Sequence, residues 1–170
     1  MNVNLRPPVR EDVRKLSVLY KQVYIQTYGI EGVSQEFADF ITEQFSEDVI
    51  IEKLNSKEHL LLIAEYKNNP IGVLEVVFDR SNPLNELICP EINKLYILER
   101  FCHLGIGSRL MQMAEEQIKA LGHQHVWLWV LATNDRAVNF YEKHRYDWIG
   151  NSYFQMSENR YENKVMTKAL

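Results

Sequence analysis

Residues 91–110 read Glu-Ile-Asn-Lys-Leu-Tyr-Ile-Leu-Glu-Arg-Phe-Cys-His-Leu-Gly-Ile-Gly-Ser-Arg-Leu. An apolar, strand-like run enters a short loop containing Gly105-Ile106-Gly107, and a helical pattern follows. That order builds a phosphate cradle from backbone alone. Glycines let the chain approach a ligand closely, and the first turn of a helix carries N–H groups with no partner of their own. Those donors and the positive end of the helix dipole make an anion site that needs no basic side chain. Two familiar phosphate loops fail on spacing. A dinucleotide fingerprint needs a glycine at position 110, where this chain has Leu, and an acid about 20 residues past Gly105, where it has His125. A P-loop needs Gly-Lys-Ser/Thr after a four-residue gap, which is absent. The plain alternative is a turn that only joins strand to helix.

A second motif stands about 25 residues downstream: Asn134-Asp-Arg-Ala137-Val-Asn-Phe140-Tyr141-Glu-Lys143. Together with Leu95-Tyr-Ile97 and Gly105-Ile-Gly107-Ser-Arg-Leu110, it resembles the GCN5-related N-acetyltransferases. The likeness is closest to the bacterial Pai-type spermidine/spermine acetyltransferases, and it includes Trp127-Leu-Trp129-Val and the tail Met166-Thr-Lys-Ala-Leu170. The match is strong from about residue 90 onward. The first half fits in the order of its elements more than in letters. Cys102 departs from the pattern, standing three residues before the first loop glycine, where the family usually has Gln or Arg. His103 and Leu104 replace a common Gly-Lys pair, Arg145 a turn glycine, and Tyr146 a Phe. Because backbone N–H groups carry the phosphate, the expectation is a weakened grip at most, with a small local adjustment near Arg145.

The rest of the chain reads as one mixed α/β domain over residues 1–170. Val3–Arg6 is a short strand ended by Pro7-Pro8. From Val9 to Tyr28, apolar residues Val13, Leu16, Leu19/Tyr20 and Val23 recur at helical steps until Gly29 and Gly32 interrupt them. Ser34 and Ser46 are placed to cap helices reaching Phe45 and Asn55. His59–Tyr66 and Ile71–Phe78 read as strands about a Lys67–Pro70 turn, and Arg80–Asn85 as a loop. Then come the strand Glu91–Leu98, a helix from Leu104 to Leu121 ended by Gly122, and the strand His125–Leu131. The buried stripe expected for that helix is Ile106, Leu110, Ala114, Gln117/Ile118 and Leu121. Asn134–His144 forms a helix capped by Asn134, and Tyr146–Met156 with Tyr161–Lys168 form a closing antiparallel pair. The resemblance implies that this order builds an α+β fold: a mostly antiparallel sheet of about seven strands with flanking helices. It also implies that Glu91–Leu98 and His125–Leu131 run parallel and splay, with coenzyme A entering the gap.

Composition narrows the classes. A net charge of −4 argues against general binding of nucleic acid, which wants clustered Lys and Arg, and suits a cationic small substrate. No apolar run approaches the roughly 20 residues of a membrane span. The N-terminal residues lack a signal-peptide pattern. Cys89 and Cys102 are the only cysteines and show no metal spacing, which fits a reducing cytoplasm and no bound metal.

The resemblance implies four chemical tasks. Cys102, His103, Leu104, Gly105, Ile106, Gly107 and Ser108 would hold the coenzyme A pyrophosphate. Backbone groups at Leu95, Tyr96 and Ile97 would pair with the pantetheine arm, one N–H polarising the acetyl carbonyl; oriented donors of this kind are worth about 3–4 kcal/mol in a transition state. Asn134, Arg136, Asn139 and Lys143 would touch the pantetheine or phosphates. Tyr141, a phenol of pKa about 10, would protonate the departing thiolate. Its alternative is a core tyrosine packed beside Phe140. Glu91 is the candidate base for the amine, the alternative being a solvated strand-end carboxylate, and Glu75 is the reserve.

His123 and His125, without a carboxylate or thiol nearby, read as surface residues. Trp127 and Trp129 share a strand face and read as core or cleft wall. Glu31, Glu36 and Asp39 read as a solvated acidic face near the acceptor side. The implied activity is acetyl transfer from acetyl-CoA to a small amine, polyamines first. Acetylation of a protein N-terminus or lysine, and a non-catalytic acyl-CoA-binding module, stay open. The apolar closing strands suggest a homodimer.

Overall fold

The computed structural model, which describes residues 1–170, contains seven strands and five α-helices. β1 spans Asn4–Arg6, and a single 3-10 turn at Arg10–Asp12 leads into α1, Val13–Tyr28. The helix therefore begins four residues later than its apolar period suggests, because Asp12 accepts the Val9 N–H at 2.9 Å and pairs with Arg6. Gly29 caps α1, its N–H bonded to the Ile25 carbonyl. Ser34 caps α2, Gln35–Gln44, by accepting from Phe37 N–H, and Ser46 caps α3, Glu47–Asn55, by accepting from Val49 N–H. Each cap satisfies a donor that the helix start leaves orphaned, typically worth about 1 kcal/mol.

β2, His59–Tyr66, and β3, Asn69–Ser81, meet at a two-residue turn. Lys67 and Asn68 both adopt positive φ, 51° and 62°, the geometry that matches the twist of hairpin strands. Asn69 and Pro70 thus belong to the strand, and β3 continues through Arg80 and Ser81, where the sequence suggests a loop. β4 is Ile88–Ile97, longer at its start than expected. A 3-10 turn at Glu99–Phe101 follows, then α4, Ile106–Ala120, and β5, His125–Leu131. Ile106, Leu110, Met111, Ala114 and Ile118 are buried along α4; Leu121, expected in that stripe, is 65% exposed because the helix ends one residue earlier. α5 spans Asp135–Lys143, and β6, Asp147–Met156, pairs antiparallel with β7, Asn159–Ala169.

The sheet order is β1-β2-β3-β4-β5-β7-β6. β1 lies antiparallel to β2, β5 to β7 and β7 to β6, while β4 and β5 run parallel with Glu91 opposite Trp127. Residue contacts divide the chain into two compact units, 1–75 with 94–114, and 76–93 with 115–170. In the first, Leu16, Leu62, Ile63, Val73, Leu74 and Leu110 are sealed from solvent, and Tyr20 stacks on Phe45 at 5.2 Å. In the second, Val126, Trp127, Leu128, Val165 and Met166 form the buried rows of β5 and β7. Each such side chain contributes roughly 1.5–3 kcal/mol on burial.

Candidate active site

In the first unit, β4 ends in a tight sequence of turns. Phe101 N–H bonds the Leu98 carbonyl at 2.8 Å and Cys102 N–H the Glu99 carbonyl at 3.0 Å. The Cys102 thiol points back toward the Ile97 and Leu98 carbonyls, 3.9 and 3.8 Å away. Its side chain closes the loop on the strand and its N–H is taken by Glu99, so Cys102 shapes the loop that leads to the free donors of α4. His103 and Gly105 then take left-handed backbone, φ 63° and 74°, and redirect the chain into α4. For Gly105 this conformation carries no Cβ penalty. The first α-helical bond runs from Arg109 N–H to the Gly105 carbonyl at 3.2 Å. The N–H groups of Ile106, Gly107 and Ser108 therefore have no intrahelical acceptor. A Cβ built on Gly105 meets nothing within 4 Å, so open space lies over the loop. Ile106, 2% exposed, anchors the helix start, whereas Leu104 is exposed. Free donors, a helix dipole and open space suit a pyrophosphate.

Tyr96 is buried and its ring packs edge-on to Tyr20 at 5.8 Å. What Tyr96 can give a ligand is main chain, in keeping with backbone pairing along Leu95–Ile97; Leu95 and Ile97 are half-buried. Glu75, on β3, is tied down. Lys53 Nζ reaches both carboxylate oxygens, at 2.9 and 3.0 Å, and the Tyr20 hydroxyl donates at 3.1 Å. Lys94 stands 4.0 Å away and His59 3.6 Å. Burial favours the neutral acid, but Lys94, His59 and Lys53 outweigh it and hold the Glu75 carboxyl below the usual range. A carboxylate stabilised in that way is a poor proton acceptor, so the reserve base is a structural anion. Glu31 and Asp39 are exposed, with Asp39 accepting from the Gln35 amide at 2.8 Å, and Glu36 is half-buried.

In the second unit, Asn134 Oδ1 accepts from Ala137 N–H at 3.1 Å and caps α5. Its amide NH2 remains the part of the side chain suited to a ligand. Val138 and Tyr141 face inward on α5, whereas Arg136, Asn139 and Lys143 are exposed at helical spacing on the other side. Tyr141 is 8% exposed, its ring set edge-on to Phe140 at 5.4 Å and Tyr146 at 5.8 Å. Tyr146 is itself fixed. Its hydroxyl donates to Glu115 at 3.0 Å, Glu115 pairs with Lys168 at 2.6 Å, and burial raises the Tyr146 phenol well above its ordinary value. Arg145 adopts φ 64° after α5, filling the left-handed place expected of a glycine there.

Glu91 is not a solvated strand end. It is 5% exposed, and its Oε1 accepts from Trp129 Nε1 at 3.0 Å and Asn93 Nδ2 at 2.9 Å. Arg80, more than half exposed, lies 3.8 Å from Oε2. The Trp129 and Asn93 contacts were not legible in the sequence. Alternation puts 91 and 93 on one face of β4, and 127 and 129 on one face of β5. Only the register, Glu91 opposite Trp127, brings those rows together. His123 stacks on Phe78 at 5.6 Å, and no cluster of three or more His, Cys, Asp or Glu residues could hold a metal.

Residues 27–146 match the model of the Acetyltransferase (GNAT) family. The chain belongs to this family. It is an acetyl-CoA-dependent N-acetyltransferase. A relative, the "Uncharacterized N-acetyltransferase in pepI 3'region" of Lactobacillus delbrueckii subsp. lactis, is 23% identical over 163 residues, covering 94% of this chain and 93% of the relative. The crystal structure of the PaiA N-acetyltransferase from Thermoplasma acidophilum in complex with coenzyme A superposes with TM-score 0.78 at 23% identity, over 100% of both chains. The ribosomal-protein-alanine N-acetyltransferase of Brucella melitensis reaches 0.75 at 16% identity, over 98% of this chain and 99% of that one. Those structural likenesses establish the GNAT fold, with its seven-stranded sheet and parallel β4–β5 pair. No helix is long and apolar enough to cross a membrane.

Proposed function

We propose that this single GNAT domain acetylates a small primary amine by direct attack, with polyamines such as spermidine and spermine the favoured acceptors. The observation that carries the reading is Glu91. Its carboxylate is buried and held by two neutral donors, and its one cationic neighbour, the exposed Arg80 at 3.8 Å, stands further off than the 2.9 and 3.0 Å contacts that Lys53 makes to Glu75. A primary amine of pKa about 10 must lose a proton before it can attack, and a carboxylate so placed accepts one directly or through water. Acetyl-CoA supplies the acetyl group as a thioester. The Cys102–Ser108 loop, with His103, Leu104, Gly105, Ile106 and Gly107, holds the pyrophosphate through main-chain N–H groups. Leu95–Ile97 aligns the pantetheine arm, and Asn134, Arg136, Asn139 and Lys143 brace it. The Tyr141 hydroxyl holds the proton that the departing sulfur needs.

The polyamine class is supported by the resemblance to Pai-type sequences, by a PaiA enzyme among the structural neighbours and by the net charge of −4. A homodimer and a cytoplasmic setting belong to the same proposal. What supports the dimer is that β6 forms the sheet edge and exposes Trp148, Tyr153 and Phe154.

The test is thiol release from acetyl-CoA across spermidine, spermine, simple diamines, aminoglycosides and short peptides, with acceptor-free blanks to correct for Cys89, Cys102 and hydrolysis. Fast release with the polyamines is expected. Release confined to peptides would overturn the acceptor class, and tight coenzyme A binding without turnover on any acceptor would overturn the proposed catalysis.

A further inference from the structure

Glu91 receives both of its short hydrogen bonds on one oxygen. Trp129 Nε1 and Asn93 Nδ2 converge on Oε1, at 3.0 and 2.9 Å, and neither touches Oε2 at that range. An indole N–H only donates, and an amide NH2 likewise, so neither group can take the proton in place of the carboxylate. We infer that Trp129 and Asn93 are positioning residues for the base: they hold Oε1 and leave Oε2 as the oxygen that receives the amine proton. This deepens the reading of Glu91 given above and rests on it.

The arrangement is built into the sheet. Trp127, 1% exposed, sits opposite Glu91 in the parallel ladder and opposite Thr167 on β7. Trp129 is two residues further along the same face of β5, opposite Val165, and packs against Trp127 with ring centroids 5.7 Å apart. Cys89, Trp127 and Val165 form one buried cluster against which Trp129 rests. The indole is thereby held from one side by apolar packing while its N–H faces the carboxylate. Asn93 reaches Glu91 from two residues along the same face of β4.

The charged and titratable surroundings are few. Arg80 of β3 stands 3.8 Å from Oε2 with an exposed side chain. The Cys89 thiol lies on the same face of β4, and burial raises its pKa, keeping it neutral. The residues presented by β5 and β7, Trp127, Trp129, Val165 and Thr167, carry no charge. Neutral donors stabilise the charged form of a carboxylate without removing its negative charge, so deleting one should displace the acidic limb of the rate upward.

The experiment is the pH dependence of kcat/KM with the fastest amine of the acceptor panel, for the natural protein and for Trp129→Phe, Asn93→Ala and Glu91→Gln. Melting curves and coenzyme A binding serve as folding controls. The same amine is used throughout, so its own ionisation cancels between variants. The expected result is that the acidic limb moves up by about one pH unit in Trp129→Phe and in Asn93→Ala, the scale of one hydrogen bond. Turnover should fall more than tenfold in Glu91→Gln. An acidic limb unmoved in folded Trp129→Phe and Asn93→Ala overturns the positioning role while leaving Glu91 as base. Natural turnover and an unchanged limb in Glu91→Gln overturn the base itself. Should Trp129→Phe fail to fold, Asn93→Ala decides.

Discussion

Lys53 Nζ lies 2.9 Å from one oxygen of Glu75 and 3.0 Å from the other, a single ammonium bridging a carboxylate that is 1% exposed. Glu91, 5% exposed, is held instead by an indole and an amide. Two buried acids thus have opposite chemistry. Glu75, bridged by its lysine, is stabilised as an anion and resists protonation, whereas the nearest cation to Glu91 is the exposed Arg80 at 3.8 Å.

Glu75→Gln should accordingly destabilise the fold without removing the chemistry. Loss of the carboxylate leaves Lys53 and Lys94 facing each other half-buried with no anion between them. Breaking a buried pair in this way costs about 3–5 kcal/mol. Urea unfolding at pH 7 should register that loss, and turnover per folded molecule should stay within a few-fold of natural.

Acid should unfold the protein through the same kind of group. The Asp12 carboxyl is pulled below its ordinary value by hydrogen bonds from Arg6, against burial, with the Val9 N–H adding to the effect. Glu75 is lowered as well. A group whose folded pKa is depressed contributes stability that is fully present above its unfolded value, about 4 for these acids, and is lost as pH falls toward the folded value. The urea midpoint should therefore change little from pH 7 to 5 and drop steeply below 4. In Asp12→Asn that acid drop should be shallower, starting from a lower plateau.

Tyr141→Phe separates catalysis from binding. Its ring already packs against Phe140 and Tyr146, so removing the hydroxyl leaves the contacts in place. Coenzyme A affinity, read by calorimetry, should barely move, whereas turnover should fall well over tenfold, in the usual range for a lost general acid of about 100-fold or more. Unchanged turnover would remove Tyr141 from the mechanism.

Two glycines should fail for different reasons. At Gly105 a Cβ meets open space but the φ of 74° opposes it, so Gly105→Ala should cost about 1–2 kcal/mol, mostly as weakened coenzyme A binding. At Gly72 a Cβ would collide with the Ile97 side chain and stand 3.0 Å from the Tyr96 carbonyl. Gly72→Ala should lower the melting temperature outright, because strand β4 has to move.

Local signals and tertiary pairing divided the information in this chain. The caps at Ser34, Ser46 and Asn134 and the apolar periods of α1, α4 and α5 depend on neighbours within a few residues, so the sequence by itself determined the elements. The Gly105 loop and the Asn134–Lys143 motif were legible for the same reason, each being one continuous stretch. The misplaced element ends were small and local: Arg6 and Asp12 shorten α1, and Leu121 lies just beyond the end of α4. The roles of Glu75 and Glu91 could not be told apart in one dimension, since both are strand glutamates among apolar residues. Only the tertiary structure decided them. It set Lys53 of α3 against Glu75 and, through the parallel register of β4 and β5, Trp129 against Glu91. A carboxylate's proton affinity is set by which donor or charge lies within a few ångströms of it, and that neighbour is chosen by the packing of elements remote in sequence.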